Sequence, residues 1–245
     1  MIEERIDLIC ADSTNNVALE LVRADLEHGI LVVAEEQAAG RGRLGRSWIS
    51  PKGNLYCSIL LPPYPDETVD SRLSLIAANS VYETVAEFVD DPQALFIKWP
   101  NDILIRGKKV SGILVESCNR YGKGFAVVGV GINIVATAIN SMPPELVDRV
   151  TALEIEGNRA IDREVVLSAY LMHFEKWHNL FMKQGAVPIC DFWNKHCASI
   201  GKTIEVPSLN VAGVCQGINE LGHLIVEGAN GTFTIESDEI REPLS

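Results

Sequence analysis

No run of about 18 consecutive apolar residues occurs in this chain of 245, so the sequence offers no membrane-spanning helix. Basic residues are few: 21 Lys and Arg stand against 33 Asp and Glu, a formal net charge of −12. That balance argues against non-specific binding to nucleic acid or an anionic membrane, because both need clustered cations. The first residues, Met1 to Arg5, lack a basic segment followed by an apolar one, so no secretory leader is visible. The six cysteines (10, 57, 118, 190, 197 and 215) never form C-x-x-C. They read as reduced core thiols of a cytoplasmic protein, not as a disulfide frame or zinc site. H-E-x-x-H is missing as well, and His173 and His178, five residues apart, fall on different helix faces. No protein-built metal site is expected. Repeats and low-complexity segments are also absent.

What is present is an ordinary globular composition, 47% apolar and 22% charged, long enough for one large domain plus a small appendage. Asp12-Ser13-Thr14 offers helix-capping chemistry, followed by apolar spacing at Leu19, Val22 and Leu26 and a closing Gly29. Residues 30–35 form a buried-strand pattern, and a strand through 55–61 stops at Pro62-Pro63. Asp70 or Ser71 is placed to cap a periodic helix with Leu75, Ala78, Tyr82, Val85 and Val89 on one face. Strands are expected at 94–99, 102–106, 109–117 and 125–134, and helices at 144–156, 162–183 and 187–197. After Ser199 short β-rich runs (203–206, 210–217, 223–228, 232–236) alternate with turn residues, the texture of a small β-barrel. The pattern is α+β: a largely antiparallel sheet with helices on one face (residues 1–198), then the barrel (199–245).

The densest chemistry lies in Gly40-Arg41-Gly42-Arg43-Leu44-Gly45-Arg46, which puts three arginines within six residues of an acidic chain. As a pattern the segment fits G-x-G-x-x-G, and nearly the P-loop. Both need a helix opening directly after the glycines, with its N-terminus facing phosphates. Pro51 and Gly53, followed by β-rich residues, forbid that helix. What remains is a strand–loop–strand unit: either a solvated hairpin tip, or a loop whose arginines grip carboxylate or phosphate.

A second cluster, Lys98-Trp99-Pro100-Asn101-Asp102, crowds a lysine, an amide and a carboxylate at a turn. It reads either as plain turn chemistry or as a nucleotide site, with the lysine on phosphates and the acid on magnesium or ribose. Lys109 to Glu116 follows on the next strand, and Gly129-Val130-Gly131-Ile132-Asn133 is a strand whose glycines permit close approach.

In this order, Ser13-Thr14-Asn15, Gln37 through Trp48, Lys98–Asp102, Lys109–Glu116 and Gly129–Ile134 closely resemble the biotin–protein ligase family. The resemblance implies a catalytic domain like that of class II aminoacyl-tRNA synthetases, with a mixed, largely antiparallel sheet, followed by an SH3-like barrel. It implies formation of biotinyl-5′-AMP from biotin and ATP with Mg²⁺, then transfer of biotin to a lysine of a biotin carboxyl carrier domain of a carboxylase. Ser-Thr-Asn starting at residue 13 leaves no room for the DNA-binding module of repressor members, so no nucleic acid partner is expected. A homodimer through a sheet edge is compatible with the family. By resemblance, the catalytic cations are Lys109, on biotin's carboxylate, with Arg41 and Arg43 at the adenylate linkage. Ser13, Thr14, Asn15, Gln37, Gly40 and Gly112 belong to biotin. Arg46, Trp48, Lys98, Asn101, Asp102 and Asn133, with Arg43, belong to ATP, and magnesium arrives with ATP near Asp102. Two other readings stay open. One is a lipoate or octanoate ligase or transferase of the same fold, and the other a non-catalytic biotin- or nucleotide-binding module.

Overall fold

The computed structural model describes residues 2–24, 26–63, 72–140 and 142–241. The chain opens with β1 (Glu4–Ala11), α1 (Thr14–Arg23), β2 (Ile30–Gln37), β3 (Leu55–Leu60) and α2 (Leu73–Ala86). A run of strands follows: β4 (Leu95–Lys98), β5 (Asp102–Ile105), β6 (Lys108–Arg120) and β7 (Lys123–Ile132). Next come α3 (Ala136–Asn140), α4 (Pro144–Val147), α5 (Leu153–Glu156), α6 (Arg163–Gln184) and α7 (Val187–Lys195). The chain ends in β8 (Thr203–Val206), β9 (Val211–Ile218), β10 (Leu224–Gly228) and β11 (Gly231–Ile235).

The first seven strands form one sheet in the order β1-β2-β3-β7-β6-β5-β4, and the last four form a second sheet, β11-β10-β9-β8. Only the β1–β2 pair of the large sheet is parallel. The α+β class is therefore the expected one. β1 itself is unexpected. Its sequence, Glu-Arg-Ile-Asp-Leu-Ile-Cys-Ala, carries charge on the outer positions of an edge strand, and only Ala11 is fully buried. Cys10 is exposed there, so it is not a core thiol, although all six cysteines are free.

Alternation in β2, β3 and β7 explains the layers, because successive side chains point to opposite faces. Leu31, Val33, Leu55, Cys57, Val128 and Val130 join the large core with residues of α2, α6 and α7. Ile30, Val32, Leu60 and Val127 face the other way and pack under Ala18 and Val22 of α1. Helices thus cover both faces, not one. The α1 side covers only part of its face, and the rest of that face is the cavity described below. The large core also runs without a break into Ile204, Val206, Cys215 and Leu224 of the second sheet.

Three helix expectations need correction. The Asp70 and Ser71 cap lies outside the described residues, and α2 is buried nearly all round, from Leu73 through Val85, because it packs against both the sheet and α6–α7. Helix α1 ends at Arg23, where Ala24 N–H reaches the carbonyls of Glu20 and Leu21, so Leu26 and Gly29 lie beyond it. Residues 144–156 are not one helix. Between α4 and α5, Val150 forms a parallel bridge with Lys109: Lys109 N–H donates to Arg149 O at 2.9 Å, and Thr151 N–H donates to Lys109 O at 2.9 Å. Tertiary pairing has overridden local helix preference, and it pins the backbone of Lys109.

Candidate active site

Sheet register lines up the chemistry. Lys98 pairs with Asp102, Asp102 with Gly112, and Gly112 with Gly131, giving one rung across β4, β5, β6 and β7. In-register neighbours share a face, so these residues and the neighbouring Gly129 and Leu114 face the uncovered half of the α1 side. A cleft of about 520 Å³ opens there, within the roughly 300–1,000 Å³ typical of small-molecule sites.

The glycines set its floor. A Cβ on Gly131 would sit 2.6 Å from Trp48 Nε1, and one on Gly112 would sit 3.0 Å from the same indole and 3.1 Å from Lys109 Nζ. Trp48 therefore lies against bare backbone, and its buried N–H has no partner among the described residues. Lys109 Nζ stands 5.0 Å above the indole ring and 2.6 Å from Asp102 Oδ1. The lysine is fixed by a carboxylate on one side and a π-face on the other. Its ammonium has three donors, so the Asp102 contact leaves two for a ligand.

At the other end of the cleft is a polar head pocket. Thr14 donates to Gln37 Oε1 from its backbone N–H (2.8 Å) and from its hydroxyl (3.2 Å). Gln37 Nε2 donates to Ser50 Oγ at 2.9 Å. The buried Ser58 hydroxyl bonds Thr14 Oγ1 at 2.7 Å and Asn15 Oδ1 at 2.6 Å. Asn15 Nδ2 donates to Leu114 O at 3.1 Å and Glu116 Oε2 at 2.8 Å. Ser13 sits at the helix N-cap but makes no side-chain cap bond. Asp12 does the local work instead, accepting from Ser13 N–H and from Asn16 Nδ2, each at 2.6 Å. The bond from Asn16 first, with that from Ser13, holds the Asp12 carboxyl below its ordinary range. Ser13 and Thr14 are thus not consumed as caps, and both line the cleft.

The arginine loop closes over the opening as a small hairpin. Arg41 bridges Ser47, Gly42 N–H donates to Arg46 O at 2.7 Å, and Trp48 N–H donates to Gly40 O at 2.8 Å. Leu44 takes a left-handed conformation at its tip (φ 56°) and is exposed. The base of the loop is tied to β6, where Arg41 Nη2 donates to Glu116 Oε2 at 2.6 Å. The tip is tied to the segment after β11, through Arg43 to Ser237 Oγ and Arg46 to Glu239 Oε1, both at 2.6 Å. Burial, then the nearby Arg46 cation, pushes the Arg43 guanidinium below its ordinary value. Two crowded cations at the mouth of a cleft favour a polyanion.

Of the residues expected at the site, Gly40 alone is not on the cleft wall. It is buried behind it, where a Cβ would lie 2.4 Å from Trp48 O and 2.6 Å from Ser50 Oγ, so its packing requires a glycine whatever else its backbone meets. Asn15, Asn101 and Asn133 line the cleft, but their amide donors go to the protein. Asn101 Nδ2 donates to Ile113 O, and Asn133 Nδ2 donates to Thr151 O at 3.1 Å. Ser58, Glu116, Ser237 and Glu239 were not singled out from sequence as site residues. Their partners lie far along the chain, and no local pattern marks them.

The Glu239–Arg46 pair is exposed, and such pairs contribute only about 0–1 kcal/mol to stability. Glu239→Ala is therefore predicted to leave the melting temperature nearly unchanged and to lower the apparent KM for a polyanionic substrate, because an internal competitor for Arg46 is gone. A raised KM in initial-rate measurements would show that Glu239 orients Arg46 instead.

A strip of cations leading to a pocket of fixed hydrogen-bonding groups suits a small ligand with a polar head and an anionic end. The chain belongs to the Biotin/lipoate A/B protein ligase family, whose profile matches residues 8–133. It is 37% identical over 232 residues to the bifunctional ligase/repressor BirA of Bacillus subtilis, covering 93% of this chain and 70% of that protein. It is 34% identical to the biotin--[acetyl-CoA-carboxylase] ligase of Paracoccus denitrificans, covering 94% of this chain and 96% of that one. The biotin protein ligase from Aquifex aeolicus, solved with biotin and ATP, superposes with a TM-score of 0.83 at 30% identity, covering 98% of this chain and all of that one.

Proposed function

We infer that this chain is a biotin protein ligase: it makes biotinyl-5′-AMP from biotin and ATP, then transfers biotin to a lysine of a carboxylase carrier domain. The observation that carries the reading is Lys109, held between Asp102 and Trp48 in the cleft that the arginine loop covers.

The first step asks a carboxylate to attack the α-phosphate, although both are anions. Fixed cations are therefore the main requirement. Lys109 meets biotin's carboxylate with its two remaining donors and steadies the charge that develops at phosphorus. Arg43 and Arg46 take the leaving pyrophosphate, exchanging Ser237 and Glu239 for phosphate oxygens. Lys98, one register step from Asp102, extends the cationic strip. Thr14, Gln37 and Ser13 face the ureido ring, and Trp48 walls the junction. In the second step the acceptor amine attacks the carbonyl of the mixed anhydride and expels AMP. Asp102 is the carboxylate at the reacting end of the cleft placed to receive the amine's proton.

A magnesium site built by the protein does not fit these residues. Asp102 has one oxygen on Lys109, and among the described residues no group of three or more His, Cys, Asp or Glu is placed to hold a metal without the nucleotide. Magnesium belongs to the ATP it accompanies, and no step here depends on a protein ligand to it. Asn101 and Asn133 fix the strands that carry Asp102 and Lys109.

The lack of a nucleic-acid partner completes the reading, supported by the net charge of −12, and a cytoplasmic location is part of the same proposal. No helix among the described residues is long and apolar enough to cross a membrane. A homodimer joined at a sheet edge is part of the same proposal, and β1 and β4 are the outer strands of the large sheet.

Biotin-dependent ATP–pyrophosphate exchange tests the reading directly, with lipoate and octanoate as control acids. Exchange with biotin alone is expected. Exchange with lipoate and not biotin would overturn it, and binding of biotin without any exchange would make the protein a binding module.

A further inference from the structure

Glu116 is on the cleft side of β6, three-quarters or more buried at its side chain (22% exposed). A carboxylate in that setting needs compensation, and a single oxygen supplies it: Oε2 accepts from Asn15 Nδ2 at 2.8 Å and from Arg41 Nη2 at 2.6 Å. Asn15 is itself immobile. Its amide oxygen takes the Ser58 hydroxyl, its amide hydrogens go to Leu114 O and Glu116, and it fills the space that a side chain at Gly129 would occupy. A chain of hydrogen bonds therefore runs Gln37–Thr14–Ser58–Asn15–Glu116–Arg41, entering through the Thr14 backbone N–H and reaching from the head pocket to the base of the arginine loop.

We propose that Glu116 is a positioning residue that anchors the arginine loop to the wall of the head pocket and thereby governs how long the acyl-adenylate is retained. The proposal rests on the ligase reading above. Arg41 is the first residue of the loop hairpin, paired across it with Ser47. Fixing its guanidinium fixes the plane in which Arg43 and Arg46 reach over the cleft. Glu116 makes no bond to Thr14 or Gln37, so it bears on the loop more than on capture of the biotin head. Its partnership with Arg41 is charge-assisted and correspondingly strong, whereas its bond from Asn15 has a backup in Leu114 O.

Glu116→Gln removes the charge and leaves the accepting oxygen, so it weakens the Arg41 bond far more than the Asn15 bond. A glutamine oxygen still accepts from Asn15, but the ion pair with Arg41 is lost. In the full-length chain, biotinyl-AMP is formed in situ from labelled ATP without acceptor, and its release is followed after a chase with excess unlabelled biotin and ATP. Release is expected to speed up by about tenfold, the order of one charge-assisted bond, while the Kd for biotin measured without ATP moves by less than about twofold. A merely structural role would shift affinity, release and melting temperature together. Equal changes in biotin Kd and adenylate release, or release at the wild-type rate, would overturn the proposal. If Glu116→Gln does not fold, Arg41→Gln breaks the same pair from the loop side, and unaltered release there overturns it equally. A wild-type chain that forms no adenylate removes the ligase reading and this proposal with it. An active wild type with an unmoved variant removes only the proposal.

Discussion

Lys109→Ala is expected to slow biotin-dependent pyrophosphate exchange by about 10²–10³-fold, because one preorganised electrostatic donor at a developing charge is worth roughly 3–4 kcal/mol. The stability cost should be smaller but not negligible. The Lys109–Asp102 pair is about three-quarters buried on each side (28% and 26% exposed), so removing the lysine leaves a largely buried carboxylate without its partner, at a cost of about 1–3 kcal/mol. The lysine backbone is held independently by Arg149 and Thr151, so the strand and the cleft should survive the substitution. Lys109→Arg is the informative companion. Charge is kept, but the guanidinium fork is wider than an ammonium, and the tight space beside Gly112, with Lys109 Nζ 3.1 Å from where a Cβ would stand, does not admit it easily. Partial recovery at best is expected. Near-normal exchange in the folded alanine variant would take Lys109 out of the mechanism and move the burden to Arg43 and Lys98.

The strand that carries Lys109 was legible because its pattern is local, and so were the runs that became β8 to β11, where turn residues and strand residues alternate plainly. Trp48 and the glycines of β6 and β7 were also visible as a pattern. Their meaning was not, since nothing in the sequence says that an indole lies on Gly112 and Gly131. The unread parts share a cause. Edge strand β1 hides behind its charged outer positions, and the expected helix at 144–156 gave way to a bridge with Lys109, a partner some forty residues earlier in the chain. Arg41 was expected at the adenylate linkage with Arg43. Both line the cleft, and their partners were not legible: Arg41 is on Glu116 at the loop base and Arg43 on Ser237 near the tip. Each of these partners is set by tertiary contact, which single-sequence periodicity does not report.

Gly129→Ala, a change of one methyl group, should damage the protein more than Lys109→Ala does. The added Cβ would stand 2.1 Å from Asn15 Oδ1 and 2.8 Å from its Cγ, far inside contact distance, and Asn15 has nowhere to go. Its side chain is 3% exposed as a residue and tied to Ser58, Leu114 and Glu116. Relief requires moving β7 or expelling Asn15, which breaks buried hydrogen bonds worth about 1–3 kcal/mol each when left unmade. A destabilisation of about 3–5 kcal/mol is expected by urea unfolding, with loss of biotin binding, since Thr14 and Ser58 lose their fixed partner. The clash can be tested by its own remedy. Asn15→Ala removes the obstructing atoms, so the double variant Gly129→Ala/Asn15→Ala should be more stable than Gly129→Ala alone, a coupling that only direct contact produces. Biotin binding should stay lost in the double variant, because the space is refilled but the amide is not. If Gly129→Ala unfolds within about 1 kcal/mol of the wild type and still binds biotin, Asn15 is not the fixed corner of the head pocket described here, and the chain of hydrogen bonds to Arg41 loses its middle link.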